Sequence, residues 1–167
     1  MTIDLASFES PVGRLWFAVG ADGLCAMEFA DAGDAMRARV QEWFPDARIA
    51  AGRGAAGVAA RLRAYFGGSL HALDDIPVAS VGTVFQKRVW SALRGIRVGE
   101  IASYRAIAKV IQNPAAVRAV GAANKRNPVT LVVPCHRVIA SDGTLCGYAG
   151  GLWRKQWLLR HEKALLA

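Results

Sequence analysis

The residues best suited to covalent chemistry are neighbours, Cys135 and His136, in the run Pro134-Cys135-His136-Arg137-Val138. A thiol attacks as the thiolate, and an unperturbed one, with a pKa of about 8.5, supplies little of it at neutral pH. The imidazole is the natural acceptor for that proton. A buried cysteine is otherwise an inert small hydrophobe, so at this point both readings stand. Neighbours on an extended strand point to opposite faces; coupling therefore demands a turn at Pro134 or a bridging water, and we expect both. An imidazole base is steadied by a carboxylate on its other nitrogen. Residues 81–167 hold only three acids, Glu100, Asp142 and Glu162. On a helix over Trp153–Leu166, turning about 100° per residue, Glu162 falls on the apolar arc with Leu158, Leu165 and Leu166. A carboxylate there needs a partner. Either it serves His136, or it sits at the rim and pairs with Lys155 or an arginine.

The surrounding elements must bring these groups together. Val129–Val133 reads as a strand that delivers Cys135. Thr83 is placed to cap a helix with Phe85, Val89, Trp90, Leu93 and Ile96 at helical spacing, ending near Gly99. Ser103 caps the next, Tyr104–Gln112, and Asn113-Pro114 supplies an N-cap and a first-turn proline for a third helix through Asn124. This pair resembles a helix-turn-helix. The third helix is slim: Ala115, Ala116, Ala119, Gly121, Ala122 and Ala123 surround Arg118. Such a surface permits close packing in a core, or entry into a DNA minor groove only about 6 Å wide. Upstream, strands are expected at Ile3–Phe8, Arg14–Val19 and Leu24–Phe29, as an antiparallel meander, then helices at Asp34–Phe44 and Ala55–Phe66. The fold class is thus α/β (α+β): a small N-terminal sheet-plus-helix domain, 1–80, and a mainly helical C-terminal domain, 81–167, split where Leu73–Val81 mixes acid, Pro77 and small residues.

Charge divides at the same place. Residues 1–80 carry seven Lys/Arg against ten Asp/Glu, while residues 81–167 carry fourteen against three, so the whole net charge of +8 arises in the second half. That asymmetry favours a polyanionic partner, nucleic acid first. The hydrophobic content of 53% is that of a globular protein. The start of the chain lacks the charged flank and apolar run of a leader or membrane span, so a cytoplasmic protein without membrane contact is expected. Cys25, Cys135 and Cys146 form no C-x-x-C pair, which argues against a disulfide framework or a zinc ribbon. No metal and no cofactor are expected.

From Phe85 to Glu162 the chain resembles the O6-alkylguanine-DNA alkyltransferases (methylated-DNA–protein-cysteine methyltransferases), in the stand-alone bacterial form. The resemblance is carried by Phe85-Gln86-x-x-Val89-Trp90, Gly99-Glu100-x-x-Ser103-Tyr104, Arg118-Ala119-Val120-Gly121, Asn127-Pro128, Pro134-Cys135-His136-Arg137-Val138, Gly147-Tyr148-Ala149-Gly150-Gly151 and Leu158-Leu159-Arg160-His161-Glu162. It implies direct-reversal repair in which the alkyl group of O6-alkylguanine passes irreversibly to Cys135, with His136 acting as base through water and Glu162 orienting it. It implies that Asn127 ties the recognition helix to the active-site segment. Tyr104 and the backbone near Val138, Tyr148 and Ala149 would hold the flipped base. Arg118, with Ala119, Lys125 and Arg126 beside it, would engage double-stranded DNA from the minor groove, the protein acting as a monomer. Base flipping suits the chemistry, because O6 of a stacked guanine lies out of reach of a buried thiol. Two rivals remain in view: a thiol hydrolase, which would regenerate Cys135, and a DNA-binding regulator, for which Cys135 would be packing.

Overall fold

The computed structural model describes residues 1–165, and these form two compact units: Met1–Val81 with Pro128–Val132, and Gly82–Asn127 with the chain from Val133 onward. Among the described residues, no helix is long and apolar enough to cross a membrane.

In the first unit β1 (Thr2–Ser10), β2 (Gly13–Gly20) and β3 (Gly23–Phe29) make the expected antiparallel meander. A short fourth strand, β4 (Arg48–Ala50), adds in parallel to β1, giving the order β3-β2-β1-β4. Sequence reasoning missed β4, whose three residues are too few to show alternation. Helices α1 (Gly33–Trp43) and α2 (Ala56–Phe66) follow the expected spans closely. Met36 and Val40 of α1 pack with Ile3, Leu5, Ala18 and Ala26 of the sheet. Cys25 is fully buried in the same core, which accounts for it as packing.

The stretch Val129–Val133 is not the strand its Val-Thr-Leu-Val-Val sequence suggests. It makes one bridge to β3, with Met27 N–H donating to Pro128 and Thr130 N–H to Met27. The ladder then stops, because Leu131 takes a φ of +77° and Val132 N–H turns back onto the Thr130 carbonyl at 3.0 Å. That is a three-residue γ-turn with its central residue in the left-handed region, a conformation that costs a non-glycine residue about 1–3 kcal/mol. Burial of Leu131, only 2% exposed, offsets the cost.

In the second unit α3 (Val84–Arg94) opens on a capping box, in which Thr83 and Gln86 each satisfy the other's backbone N–H. It ends at Gly95, short of the expected Gly99. Its Trp90 donates to the Ala123 carbonyl at 2.8 Å. Ser103 caps α4 (Tyr104–Val110) as expected, immediately after β5 (Ala102–Ser103). The connection to α5 (Val117–Lys125) differs from the expected one. Asn113 is not an N-cap; it closes α4 instead, with Gln112 left-handed at φ 60° and the N–H groups of Gln112 and Asn113 returned to Lys109 and Ala108. This is a Schellman closure built on glutamine where glycine is usual. Asn113–Ala116 then forms a turn, and α5 begins at Val117 without a side-chain cap.

β6 (Val138–Ile139) pairs in parallel with β5, which sets Val138 opposite Ala102, two residues before Tyr104. The last helix, α6 (Leu152–His161), is shorter than the expected Trp153–Leu166; Leu166 lies outside the described residues. It too closes on a left-handed non-glycine residue, Lys163 at φ 62°, with Ala164 N–H returned to Leu159. Glu162 is therefore its C-cap. Because α3 opens on both halves of a capping box, Thr83→Ala should lower stability by about 1 kcal/mol. The change should appear as a lower denaturation midpoint with an unchanged slope.

Candidate active site

The chain turns at Pro134, as a direct approach of thiol and imidazole requires. Pro134 lies at φ −81°, ψ 64°, and Cys135 N–H closes on the Val133 carbonyl at 2.8 Å, after which Cys135–Arg137 forms a single 3-10 turn. The side-chain amide of Asn127 donates to the same Val133 carbonyl at 2.8 Å. One carbonyl thus fixes both the cysteine backbone and the residue that follows α5. The Asn127 side chain also acts on the Cys135 thiol, lowering its pKa.

Glu162 binds the turn from the end of α6. Its Oε1 accepts from His136 Nε2 and from Arg137 Nη2, each at 2.9 Å, and its Oε2 accepts from Arg137 Nε at 2.9 Å. His136 and Glu162 are 0% and 1% exposed, and Arg137 also donates through Nη1 to the Ile96 carbonyl at 2.7 Å. Burial pushes the Glu162 carboxyl up, but the adjacent His136 and the Arg137 fork outweigh it and hold the group far below the usual carboxylate range. An ionised carboxylate can only accept, so Nε2 of neutral His136 carries the hydrogen and Nδ1 is left with a lone pair. That Nδ1 is buried and makes no hydrogen bond to protein. The rim alternative for Glu162 fails on burial, although the arginine it foresaw is a real partner.

Lys155 was read from sequence only as a rim partner of Glu162, and the structure places it elsewhere. It is 0% exposed on α6, and its ammonium donates to the carbonyls of Val138 and of Cys146, the latter at 2.7 Å. Burial pushes its pKa down, while Cys146 and Cys135 act in the opposite direction. Cys135 itself is 6% exposed; burial pushes the thiol up, and the Asn127 side chain and the Lys155 charge pull it back. At rest the group is a thiol in a site prepared for a thiolate. Arg137 lay in the motif without a role, and Lys155 gave no signal beyond being a lysine at helical spacing from Leu158 and Leu159.

Tyr104 is half-buried at the start of α4, and burial, followed by Cys146 and Cys135, pushes its hydroxyl up to about 12. It remains a donor at neutral pH. Gly147, left-handed at φ 54°, lets the chain pass the Tyr104 hydroxyl, which a Cβ there would meet at 3.4 Å. Val138 is buried, Tyr148 half-buried and Ala149 exposed. Arg118, Ala119, Ala122 and Lys125 are exposed on α5, whose Val120, Ala123 and Asn124 are buried, and Arg126, its C-cap, is exposed as well. Among the described residues no group of His, Cys, Asp and Glu could hold a metal ion.

Residues 84–164 match the family model described as 6-O-methylguanine DNA methyltransferase, DNA binding domain. A methylated-DNA–protein-cysteine methyltransferase of Methanosarcina acetivorans is 43% identical over 157 residues, 94% of this chain and 96% of that protein. This chain belongs to that family. A Shigella flexneri protein of the same name is 53% identical over 110 residues, and the match covers 66% of this chain and 64% of the relative, less than two thirds of its length. Among solved structures, Mycobacterium tuberculosis OGT in complex with DNA superposes with a TM-score of 0.79 at 36% identity, over 98% of this chain and 94% of that one. The methyltransferase family therefore extends over both units.

The carboxylate network gives a pH signature. Glu162 is held below its unfolded pKa of about 4.3, so its contribution to stability is complete above that value and is lost as the pH falls through the depressed folded range. Glu162→Gln leaves Arg137 buried without its anion and should cost about 3–5 kcal/mol at pH 7. In denaturant titrations from pH 7 to pH 3, the wild-type stability should fall toward that of the variant as the acid range is reached.

Proposed function

We propose that this protein repairs O6-alkylated guanine in double-stranded DNA by moving the alkyl group irreversibly onto Cys135. The observation that carries the reading is the buried Cys135-His136 turn with Nε2 of His136 held by Glu162 at 2.9 Å, in a chain of the methyltransferase family. His136 takes the thiol proton on Nδ1 through a water. The Cys135 sulfur then bonds to the alkyl carbon as the C–O6 bond breaks. Its electron pair leaves with guanine, which regains a proton, and the imidazolium is stabilised by Glu162. Glu162 stays ionised because Arg137 holds both its oxygens, so the proton stops at His136. Lys155 supplies positive charge to the thiolate. The thioether has no comparable leaving group, which makes the reaction a single turnover.

A buried sulfur requires the nucleotide to leave the stack. Tyr104, protonated at neutral pH, would donate to the extruded base, with backbone from Val138, Tyr148 and Ala149 completing the pocket. The open face of α5, slim at Ala119 and Ala122 and cationic at Arg118, Lys125 and Arg126, fits the minor groove, and Arg118 would fill the gap left by the base. The DNA complex of the Mycobacterium tuberculosis relative supports DNA as the partner. We further propose that the protein acts as a monomer in the cytoplasm.

Incubation with duplex DNA containing O6-methylguanine should add one methylene of mass at Cys135, stoichiometric with protein; turnover without label would overturn the reading in favour of a hydrolase. Cys135→Ala should abolish transfer while DNA affinity, carried by phosphate contacts, changes by less than about threefold. Arg118→Ala should slow repair of duplex at least about tenfold more than transfer from a free O6-benzylguanine base, because only the duplex needs its base replaced in the stack. Equal losses on both substrates would make Arg118 structural.

A further inference from the structure

The same site holds two buried polar atoms that no protein group satisfies: Nδ1 of His136 and the hydroxyl of Tyr148. Leaving a buried hydroxyl without a partner costs about 1–3 kcal/mol, and folded proteins settle such groups with an ordered water held by two to four polar neighbours. The charges of Cys135, Arg154 and Glu162 all act on the Tyr148 hydroxyl. Nδ1 belongs to the residue next to Cys135, on the ring whose other nitrogen is bound to Glu162. Lys155 ties the Cys146 carbonyl, two residues before Tyr148, to the Val138 carbonyl, two residues after His136, so both orphan atoms belong to segments joined at the Cys135 site.

We propose that Tyr148 is a positioning residue for proton transfer: its hydroxyl and His136 Nδ1 together hold the water through which Cys135 loses its proton. This rests on the alkyl-transfer reading above and adds a side-chain role where the family resemblance implied only backbone near Tyr148. The water accepts the thiol proton as it gives one of its own to Nδ1, so atoms and charge balance with a thiolate and an imidazolium as products. The hydroxyl donates to the water oxygen and fixes which of its hydrogens faces Nδ1. Burial, then the Cys135 charge, pushes the phenol well above its ordinary value, so it stays a donor throughout the working pH range. The other groups facing this water's neighbours are Asn127, Lys155 and Tyr104 around Cys135, and Glu162 on His136; none of them reaches Nδ1. Arg154 is engaged with the Gly150 carbonyl and the Trp153 ring.

Tyr148→Phe removes the hydroxyl alone and breaks no protein hydrogen bond, so the melting temperature should hold within a few degrees. The rate of Cys135 alkylation by iodoacetamide, read by peptide mass against pH, should shift its midpoint up by about one unit and fall about tenfold at pH 7. Raising the pH should restore it. Incorporating 3-fluorotyrosine at position 148, which keeps a hydroxyl donor, should return the midpoint to within a few tenths of wild type. Superimposable pH profiles for wild type and Tyr148→Phe would overturn the proposal, as would a variant that loses melting temperature while keeping its profile. Wild-type methyl transfer from O6-methylguanine duplex is measured alongside. Failure of that transfer defeats the repair reading itself, whereas normal transfer with overlapping profiles defeats only the role of Tyr148.

Discussion

One buried carboxylate organises the second unit. Glu162 closes α6 and, through its two oxygens, fixes the imidazole of His136 and the guanidinium of Arg137, while Arg137 reaches on to the Ile96 carbonyl after α3. A lone ionised carboxylate at 1% exposure would be prohibitively costly. Three charge-assisted hydrogen bonds make it tolerable and at the same time specify the tautomer of the histidine. The ion group is thus less a source of net stability than a device that fixes one arrangement. Removing Glu162 takes the carboxylate from both His136 and Arg137 at once.

From that constraint the chemistry follows in order. Nε2 of His136 is committed to Glu162, so only Nδ1 is available to a proton, and Nδ1 lies on the residue beside the thiol. The thiol is raised by burial, and the nearby positive charge of Lys155 has no carboxylate of its own; its hydrogen-bond partners are two neutral carbonyls. A buried ammonium without an anion favours any process that creates one beside it. Forming the Cys135 thiolate is such a process, which makes Lys155 an electrostatic complement to the proposed transfer of its proton to His136.

Much of this was legible in the sequence, for identifiable reasons. Cys135, His136 and Glu162 could be joined because helix periodicity places Glu162 with Leu158, and apolar surroundings force a carboxylate to find a partner. Thr83 and Ser103 announced α3 and α4 through capping chemistry that depends on a few adjacent residues. The misses are places where composition and periodicity point one way and the backbone takes another. Val129–Val133 has strand composition, yet it is broken by a left-handed Leu131 that only burial can hold. Gln112 and Lys163 close helices where propensity calls for glycine, so α5 starts later and α6 ends earlier than periodicity alone implies. Lys155 looked like a solvated charge because nothing in its neighbours reveals that two carbonyls await it.

The division between the buried site and the face of α5 has a physical logic of its own. In the proposed reaction the nucleophile is consumed on first use and must be withheld from stray electrophiles, and burial, by raising the pKa of Cys135 at 6% exposure, favours the neutral thiol. The same burial would put the sulfur out of reach of a base in a stacked duplex, so on the proposed reading the face of α5 must do work that the thiol cannot. Val120, Ala123 and Asn124 anchor α5 in the unit, and Arg118, Lys125 and Arg126 remain in solvent. Asn127, two residues beyond α5, binds the carbonyl that fixes Cys135. The Val133 carbonyl thus links the residue two beyond α5 to the proline on which the thiol turns. The separation that protects the sulfur still leaves a short covalent and hydrogen-bonded connection between the end of α5 and Cys135.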